Sequence, residues 1–268
     1  MDVLMPTLDS ELPALLDQEE RLTAMGIHTF LPTREQFEMR SKARLSELAE
    51  NTGLPVPEGV CVHDASALYN LAAHMGSPMV VKGVFYGAQV CYTVDEAVSA
   101  FHKQAAKWGL PIIVQRFVPG DEVNVCAVGD GQGGLVGAVP MKKLMLTDNG
   151  KGWAGVTIRD ESLMQLTRDF MTATRWRGPC EVEARQERDG TLHLIEVNPR
   201  FPAWCDLCAG AGQNLISAVV DLALGKPVTI QEYTVGTAFI RISLNQIVPI
   251  TALESISTLG EVITEVRP

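Results

Sequence analysis

One stretch constrains this chain more than any other: Cys180 to Asn198, CEVEARQERDGTLHLIEVN. Alternation on either side of Asp189-Gly190 predicts a two-stranded hairpin, Asp-Gly being a signal for a type I′ turn. A two-residue turn sets Arg188 opposite Thr191, and so Glu183 opposite Glu196 and Glu181 opposite Asn198. Period-two alternation puts all four side chains on one face, with cross-strand neighbours about 5 Å apart. Three carboxylates and an amide at that spacing repel one another unless they are protonated or bridged by a cation. An oxygen-only donor set of this kind suits Mg²⁺; a solvated face that tolerates like charges is the other reading. Just past the strand end, Asn198-Pro-Arg200-Phe-Pro202 supplies a guanidinium whose planar fork can hold a phosphate or a carboxylate.

Around the hairpin the rhythm alternates between strand and helix. Ser10–Met25 reads as one helix, with short strands at 2–5 and 29–31. Thr33-Arg-Glu-Gln36 is a capping box opening a helix that Gly53 closes. From Glu58 onward come strands at 59–62, 78–82 and 88–92, helices at 64–75 and 95–108, then an antiparallel meander at 112–117, 122–129 and 135–144. Asn149-Gly150 marks a turn, a helix spans 161–175, another spans 207–224, and the tail reads as strands and polar residues. Two short strands and a helix cannot carry a sheet of their own, so residues 1–32 look like the end of a βα layer completed by a missing segment or a partner chain.

Charge and cysteine usage exclude several classes. With 22 Lys and Arg against 32 Asp and Glu, the net charge of −10 argues against a nucleic-acid partner. No apolar run is long enough to span a bilayer, so no membrane role is expected. The six cysteines lie mostly in apolar runs, as reduced thiols of a cytoplasmic protein do. Cys205-Asp-Leu-Cys208 lacks the partners of a zinc set and reads as helix packing.

The residues also match a family. Gly178-Pro-Cys-Glu-Val-Glu183 followed by Ile195-Glu-Val-Asn-Pro-Arg200 resembles the metal strands of the ATP-grasp superfamily. Lys42 with Gly53-Leu-Pro-Val-Pro57, Pro78-Met-Val-Val-Lys82, Ile113 to Glu122 and Ala209 to Asn214 resemble that family's other motifs in order. The resemblance implies an α+β fold in which two subdomains clamp ATP between antiparallel sheets. It implies a remnant of the preceding substrate-side domain at 1–32, an N-terminal subdomain at 33–116 and a C-terminal subdomain with the metal hairpin at 117–268.

The same resemblance implies roles. Lys42 and Lys82 would reach the phosphates, Gln115, Arg116, Phe117 and Val118 would meet adenine through their backbone, and Glu122 would bind ribose. One of Lys142 and Lys143 would point into the nucleotide cleft, Lys142 standing as the candidate. Glu183, Glu196 and Asn198 would hold Mg²⁺ or Mn²⁺, and Arg200 with Lys82 would act in catalysis. The implied reaction is ATP-dependent ligation on a small molecule, amino acid or peptide, in which a carboxylate becomes an acylphosphate that an amine, thiol or other nucleophile attacks. The alternative is a nucleotide module that is silent without a missing domain or partner, and a homodimer is compatible with either. The flap Lys82-Gly-Val-Phe-Tyr-Gly-Ala88 carries only two glycines, so Phe85 and Tyr86 would pack against substrate, while Phe201 and Trp204 would line the acceptor pocket.

Overall fold

A computed structural model describes residues 1–84, 87–147, 152–245 and 247–261. The flap aromatics Phe85 and Tyr86 and the turn at Asn149-Gly150 lie outside these residues. In chain order the elements are α1 (Leu12–Asp17), α2 (Glu19–Ala24), α3 (Arg34–Met39), a 3-10 turn (Lys42–Arg44), α4 (Leu45–Thr52), β1 (Gly59–Val62), α5 (Ala67–Met75), β2 (Met79–Gly83), β3 (Ala88–Cys91), α6 (Val94–Trp108), β4 (Ile112–Arg116), β5 (Asp121–Asp130), β6 (Leu135–Leu146), β7 (Gly152–Thr157), α7 (Glu161–Thr174), β8 (Arg177–Gln186), β9 (Leu192–Asn198), α8 (Asp206–Gly210), α9 (Leu215–Ala223), β10 (Ala238–Ile240) and α10 (Ile250–Leu259).

Two antiparallel sheets result, one ordered β1-β4-β2-β3 and one ordered β10-β7-β6-β5-β8-β9. In the smaller lobe, alternation along β2 buries Met79 and Val81 against Leu68, Ala97 and Phe101 of α5 and α6. The intervening Lys82 therefore faces away from the helices. Thr93 caps α6, its hydroxyl accepting from the Glu96 amide. In the larger lobe, Val123, Val125, Val182, Leu194 and Val197 bury one sheet face against Leu163, Leu166, Phe170 and Met171 of α7. On the opposite face, Cys126, Val128, Val139 and Met141 pack under Phe201, Trp204, Leu207, Leu215 and Val219. That second apolar layer covers only part of the face, leaving its Glu122–Glu183–Glu196 portion to polar chemistry.

Several expectations are corrected. The helix read at 10–25 is two helices broken at Gln18, and the one read at 33–53 is α3, the 3-10 turn and α4. The strands read at 2–5 and 29–31 reduce to a single parallel bridge, Val3 to His28. The tail contains the edge strand β10 and the helix α10 instead of strands alone. Leu45, Leu48 and Leu54 share a core with α7 and β8, while Ser46 Oγ on the same helix donates to Gly59 O of β1 at 2.8 Å, so α4 touches both lobes.

The first 40 residues are fastened to that larger lobe. The Thr33–Gln36 capping box forms in both directions, and the Gln36 amide also donates to Arg175 O at 2.6 Å and Thr174 O at 3.3 Å at the end of α7. Arg177 reaches back to Leu31 O and Glu19, its guanidinium 4.8 Å over the Phe30 ring. Gly178, at φ +88°, lets the two segments meet, since a Cβ there would lie 2.4 Å from Phe30 O.

Candidate active site

The acid pairs form as the alternation predicts, but by a different route. The hairpin closes with a three-residue loop, Arg188–Gly190, bounded by Glu187 N to Thr191 O at 2.9 Å, with Gly190 at φ +90°. That loop offsets the register by one residue, so Gln186 faces Leu192 and Ala184 faces Leu194. A bulge between Glu183 and Ala184 takes up the extra residue and restores Glu183 opposite Glu196 and Glu181 opposite Asn198.

β5 adds to the same face, with Asn124 opposite Glu183 and Cys126 opposite Glu181. The Asn198 amide donates to Glu183 Oε1 at 2.8 Å and to Glu181 Oε2 at 3.1 Å. Glu181 Oε1 accepts from Asn124 Nδ2 at 2.8 Å and from Trp204 Nε1 at 2.7 Å. Burial, reinforced by the neighbouring Glu183, pushes the Glu181 carboxyl up to about 7 against these donors.

Lysines answer the carboxylates. Lys143 Nζ contacts Glu122 Oε2 at 2.9 Å and Glu183 Oε2 at 3.3 Å. Burial works to lower its pKa, but Glu183 and Glu122 prevail and hold it above the usual lysine range. Lys42 Nζ lies 3.0 Å from Glu196 Oε1. Burial raises the Glu196 pKa, and Lys42 works against it. Lys82, on the facing surface of the smaller lobe, is lowered to about 8, chiefly by burial and further by Lys42, with Glu196 pulling it back.

Other expected residues are placed differently. Lys142 shares the face of its β5 partner Val123 and pairs with Asp121 at 2.5 Å, so Lys143 stands in the cluster in its stead. Arg200 turns toward the N-terminal segment, its Nε 2.7 Å from Asp9 Oδ1 and its Nη1 donating to Phe201 O. Phe201 and Trp204 are buried in the second apolar layer instead of lining a pocket, and the Trp204 indole N–H is spent on Glu181. Along the hinge between the lobes, residues 115–118 at the end of β4, Gln115 and Val118 are buried, Arg116 pairs with Glu58 at 3.0 Å, and the Phe117 ring lies 5.3 Å beneath the Arg185 guanidinium. A cavity of about 450 Å³ opens beside this hinge, not over the acid cluster, and is lined by Val56, Pro57, Arg116, Phe117, Val118 and His193 among others.

Sequence reasoning missed Asn124 and the binding partners of Trp204. Asn124 was within reach, being two residues from Glu122 on one strand and therefore on its face. Trp204 gave no signal, because its contact with Glu181 depends on how α8 docks on the sheet. Among the described residues, no three His, Cys, Asp or Glu side chains gather closely enough to hold a metal ion by themselves. In the cluster, Glu196 is ion-paired to Lys42 and Glu183 to Lys143, and the third expected donor is an amide. No helix among the described residues is long and apolar enough to cross a membrane.

Two antiparallel sheets facing one another across a hinge, with lysines and carboxylates between them, define an ATP-grasp architecture. The chain belongs to the ATP-grasp family: its residues 110–245, half of its length, match the family model described as ATP-grasp in the biosynthetic pathway with Ter operon. It is similar to phosphoribosylamine–glycine ligase of Synechocystis sp., with 33% identity over 46% of this chain and 30% of that protein. It is also similar to the carbamoyl phosphate synthase large chain of Caldanaerobacter subterraneus subsp. tengcongensis, at 23% identity over 69% of this chain and 18% of that one. The chain thus spans under a third of the length of these relatives. Among solved structures, a biotin carboxylase from Campylobacter jejuni superposes with a TM-score of 0.73 at 18% identity, over 88% of this chain and 57% of the other, which establishes likeness of fold.

Proposed function

We propose that this chain is the nucleotide-binding and phosphoryl-transfer unit of an ATP-dependent, ADP-forming ligase that activates a small carboxylate for attack by an amine or another nucleophile. The observation that carries the reading is the pairing of Glu183 with Lys143 and of Glu196 with Lys42, on a face opposed by the partly buried ammonium of Lys82. Acids and bases held this close suit a ligand that brings both anionic phosphates and a divalent cation.

The donor set fits Mg²⁺ or Mn²⁺: the carboxylates of Glu183 and Glu196 and the carbonyl oxygen of Asn198, whose amide N–H₂ donates to Glu181 and to Glu183 Oε1. Bound there, the ion supplies charge neutralisation for the phosphates. Lys82, Lys42 and Lys143 provide the protein's own positive field, and phosphoryl transfer depends on such charge and on alignment more than on an acid or base. The hinge Gln115–Val118 offers backbone groups to adenine and Glu122 a carboxylate to ribose. We assign the smaller lobe, 59–116, and the larger lobe, comprising the remainder, as the two jaws of the clamp. Arg200 would have to leave Asp9 to reach a phosphoryl or acyl oxygen, which makes it the residue that moves on substrate binding.

A nucleotide module that needs a further domain or partner to complete its substrate pocket is the second reading, favoured by the small share of its relatives' lengths that the chain spans. The deciding test has two stages. Melting with ATP and Mg²⁺ should show stabilisation that Glu196→Ala abolishes; ligand at 100 times its dissociation constant adds about 2.7 kcal/mol. Phosphate release in the presence of candidate acids and amines then separates ligase from module. No stabilisation of the unsubstituted chain by ATP and Mg²⁺ would refute both.

A further inference from the structure

We propose that Glu181 is a positioning residue that fixes the amide of Asn198 with its carbonyl oxygen toward the cleft. The proposal rests on the reading of Asn198, Glu183 and Glu196 as the metal-holding set, and concerns what lies beneath that set.

Glu181 is 6% exposed and lies under the cluster. The nitrogen of the Asn198 amide lies against two carboxylate oxygens, Glu181 Oε2 at 3.1 Å and Glu183 Oε1 at 2.8 Å. Ionised carboxylate oxygens only accept, so with both glutamates charged, as they are above about pH 7, the amide presents its N–H₂ to both, and its oxygen is left for the cleft. Glu183 alone would not enforce this, because a cation shared with Glu183 could draw the amide oxygen to the same side. Glu181 removes that freedom.

Its other oxygen is committed as well. Trp204 Nε1, a group that can only donate, approaches Glu181 Oε1 at 2.7 Å, and Asn124 Nδ2 at 2.8 Å. Asn124 supplies an independent sign of how strongly the site demands donors. Its side chain is fully buried, its nitrogen faces Glu181, and its Oδ1 has no hydrogen-bond partner. Native structures rarely leave a buried acceptor unpaired, and here the cost accompanies the delivery of a donor to Glu181. Donors from β5, β9 and the segment before α8 thus converge on one carboxylate beneath the cluster.

Glu181→Gln tests this with almost no change of shape. A glutamine can keep its oxygen toward Trp204 and Asn124 only by turning its N–H₂ to the Asn198 nitrogen, where two donors meet. Relief requires the Asn198 amide to invert, which withdraws its oxygen from the cleft and sets it against Glu183. The measurement is Mn²⁺ binding in the presence of saturating ADP, followed by the loss of the free-ion paramagnetic resonance signal. Loss of a group that orients a ligand costs roughly 10–100-fold in metal affinity, and at least a tenfold weakening is expected. ADP binding without metal should change less than about threefold.

The second arm moves the charge. Combining Glu181→Gln with Asn198→Asp gives the new amide an acceptor and returns an oxygen to the cleft. Mn²⁺ affinity should then recover to within about threefold of the original, a non-additivity that a packing defect would not produce. If the unsubstituted protein fails to bind Mn²⁺ with ADP, the nucleotide-site reading falls and the positioning role with it. If it binds and Glu181→Gln binds equally well, only the positioning role is overturned. Failure of the double exchange to recover affinity overturns the amide mechanism. Should Glu181→Gln not fold, Trp204→Phe carries the test by removing one donor: weaker Mn²⁺ binding supports the proposal, and unchanged binding overturns it.

Discussion

Replacing Lys82 by methionine should make the ligand-free protein more stable while abolishing nucleotide binding. Lys82 is the penultimate residue of β2, on the surface facing the larger lobe, and burial lowers its pKa to about 8 from 10.5. A folded-state pKa below the unfolded one means that the unfolded chain binds the proton more tightly, so the ammonium opposes folding wherever it is charged. The linkage relation with these two values gives a penalty of about 3 kcal/mol at pH 7, falling below about 1 kcal/mol at pH 10. Part of the side chain stays open to the cleft, so about 1–3 kcal/mol is the range to expect from Lys82→Met at pH 7. Methionine keeps the length and apolar character of the stem, and Glu196 retains Lys42 at 3.0 Å. For a chain of this size the gain corresponds to a Tm rise of roughly 3–10 °C. The assay is calorimetric or fluorescence-monitored unfolding of both proteins from pH 7 to pH 10 without nucleotide. The advantage of Lys82→Met should shrink as pH rises through 8 toward 10.5. A variant less stable than the parent at pH 7, or an advantage independent of pH, would refute the reasoning.

Lys143→Met should weaken Mg²⁺-dependent ATP binding at least about tenfold by removing the partner of Glu122 and Glu183, whereas Lys142→Met should alter it less than about twofold; titration calorimetry distinguishes them. Gly178→Ala should destabilise the fold by about 2–4 kcal/mol in chemical denaturation, because its φ of +88° is strained for alanine and the added Cβ meets Phe30 O. Brief alkylation of the native protein at pH 8 should label the exposed Cys61 and spare the buried Cys126 and Cys180, whose thiol pKa values burial drives up; peptide mass mapping reads this directly.

The acid face was legible in the sequence because two local departures offset each other. A three-residue loop replaced the expected type I′ turn, and the bulge at Glu183 and Ala184 corrected the register before the acid pairs were reached. Burial selects that outcome: slipping one residue would turn Val182 and Val197 out of the core and the glutamates into it. Lys142 and Lys143 could not be resolved, since alternation says only that neighbours point to opposite faces, and the face was set by β6 pairing with β5 across a turn of several glycines. Arg200 was visible as a cation but not as the partner of Asp9, nearly two hundred residues away. Burial of Trp204 beneath Glu181 follows from the docking of α8 and α9, a tertiary fact with no local periodicity.

The chain crosses between the lobes twice, outward through 54–58 and back through 116–120, and the two crossings touch. Arg116 N donates to Glu58 O at 2.8 Å, and the side chains of the same two residues pair at 3.0 Å. The smaller lobe is therefore a cassette spliced into one loop of the larger, its two ends a single hydrogen bond apart. Two segments of chain lie side by side at that junction, joined through backbone and side chains alike. They also make it removable in principle: joining Glu58 to Arg116 directly would leave both apolar layers of the six-stranded sheet with all their own residues. Such a deletion would leave the acid cluster on the larger lobe without the Lys82 ammonium that interacts with it.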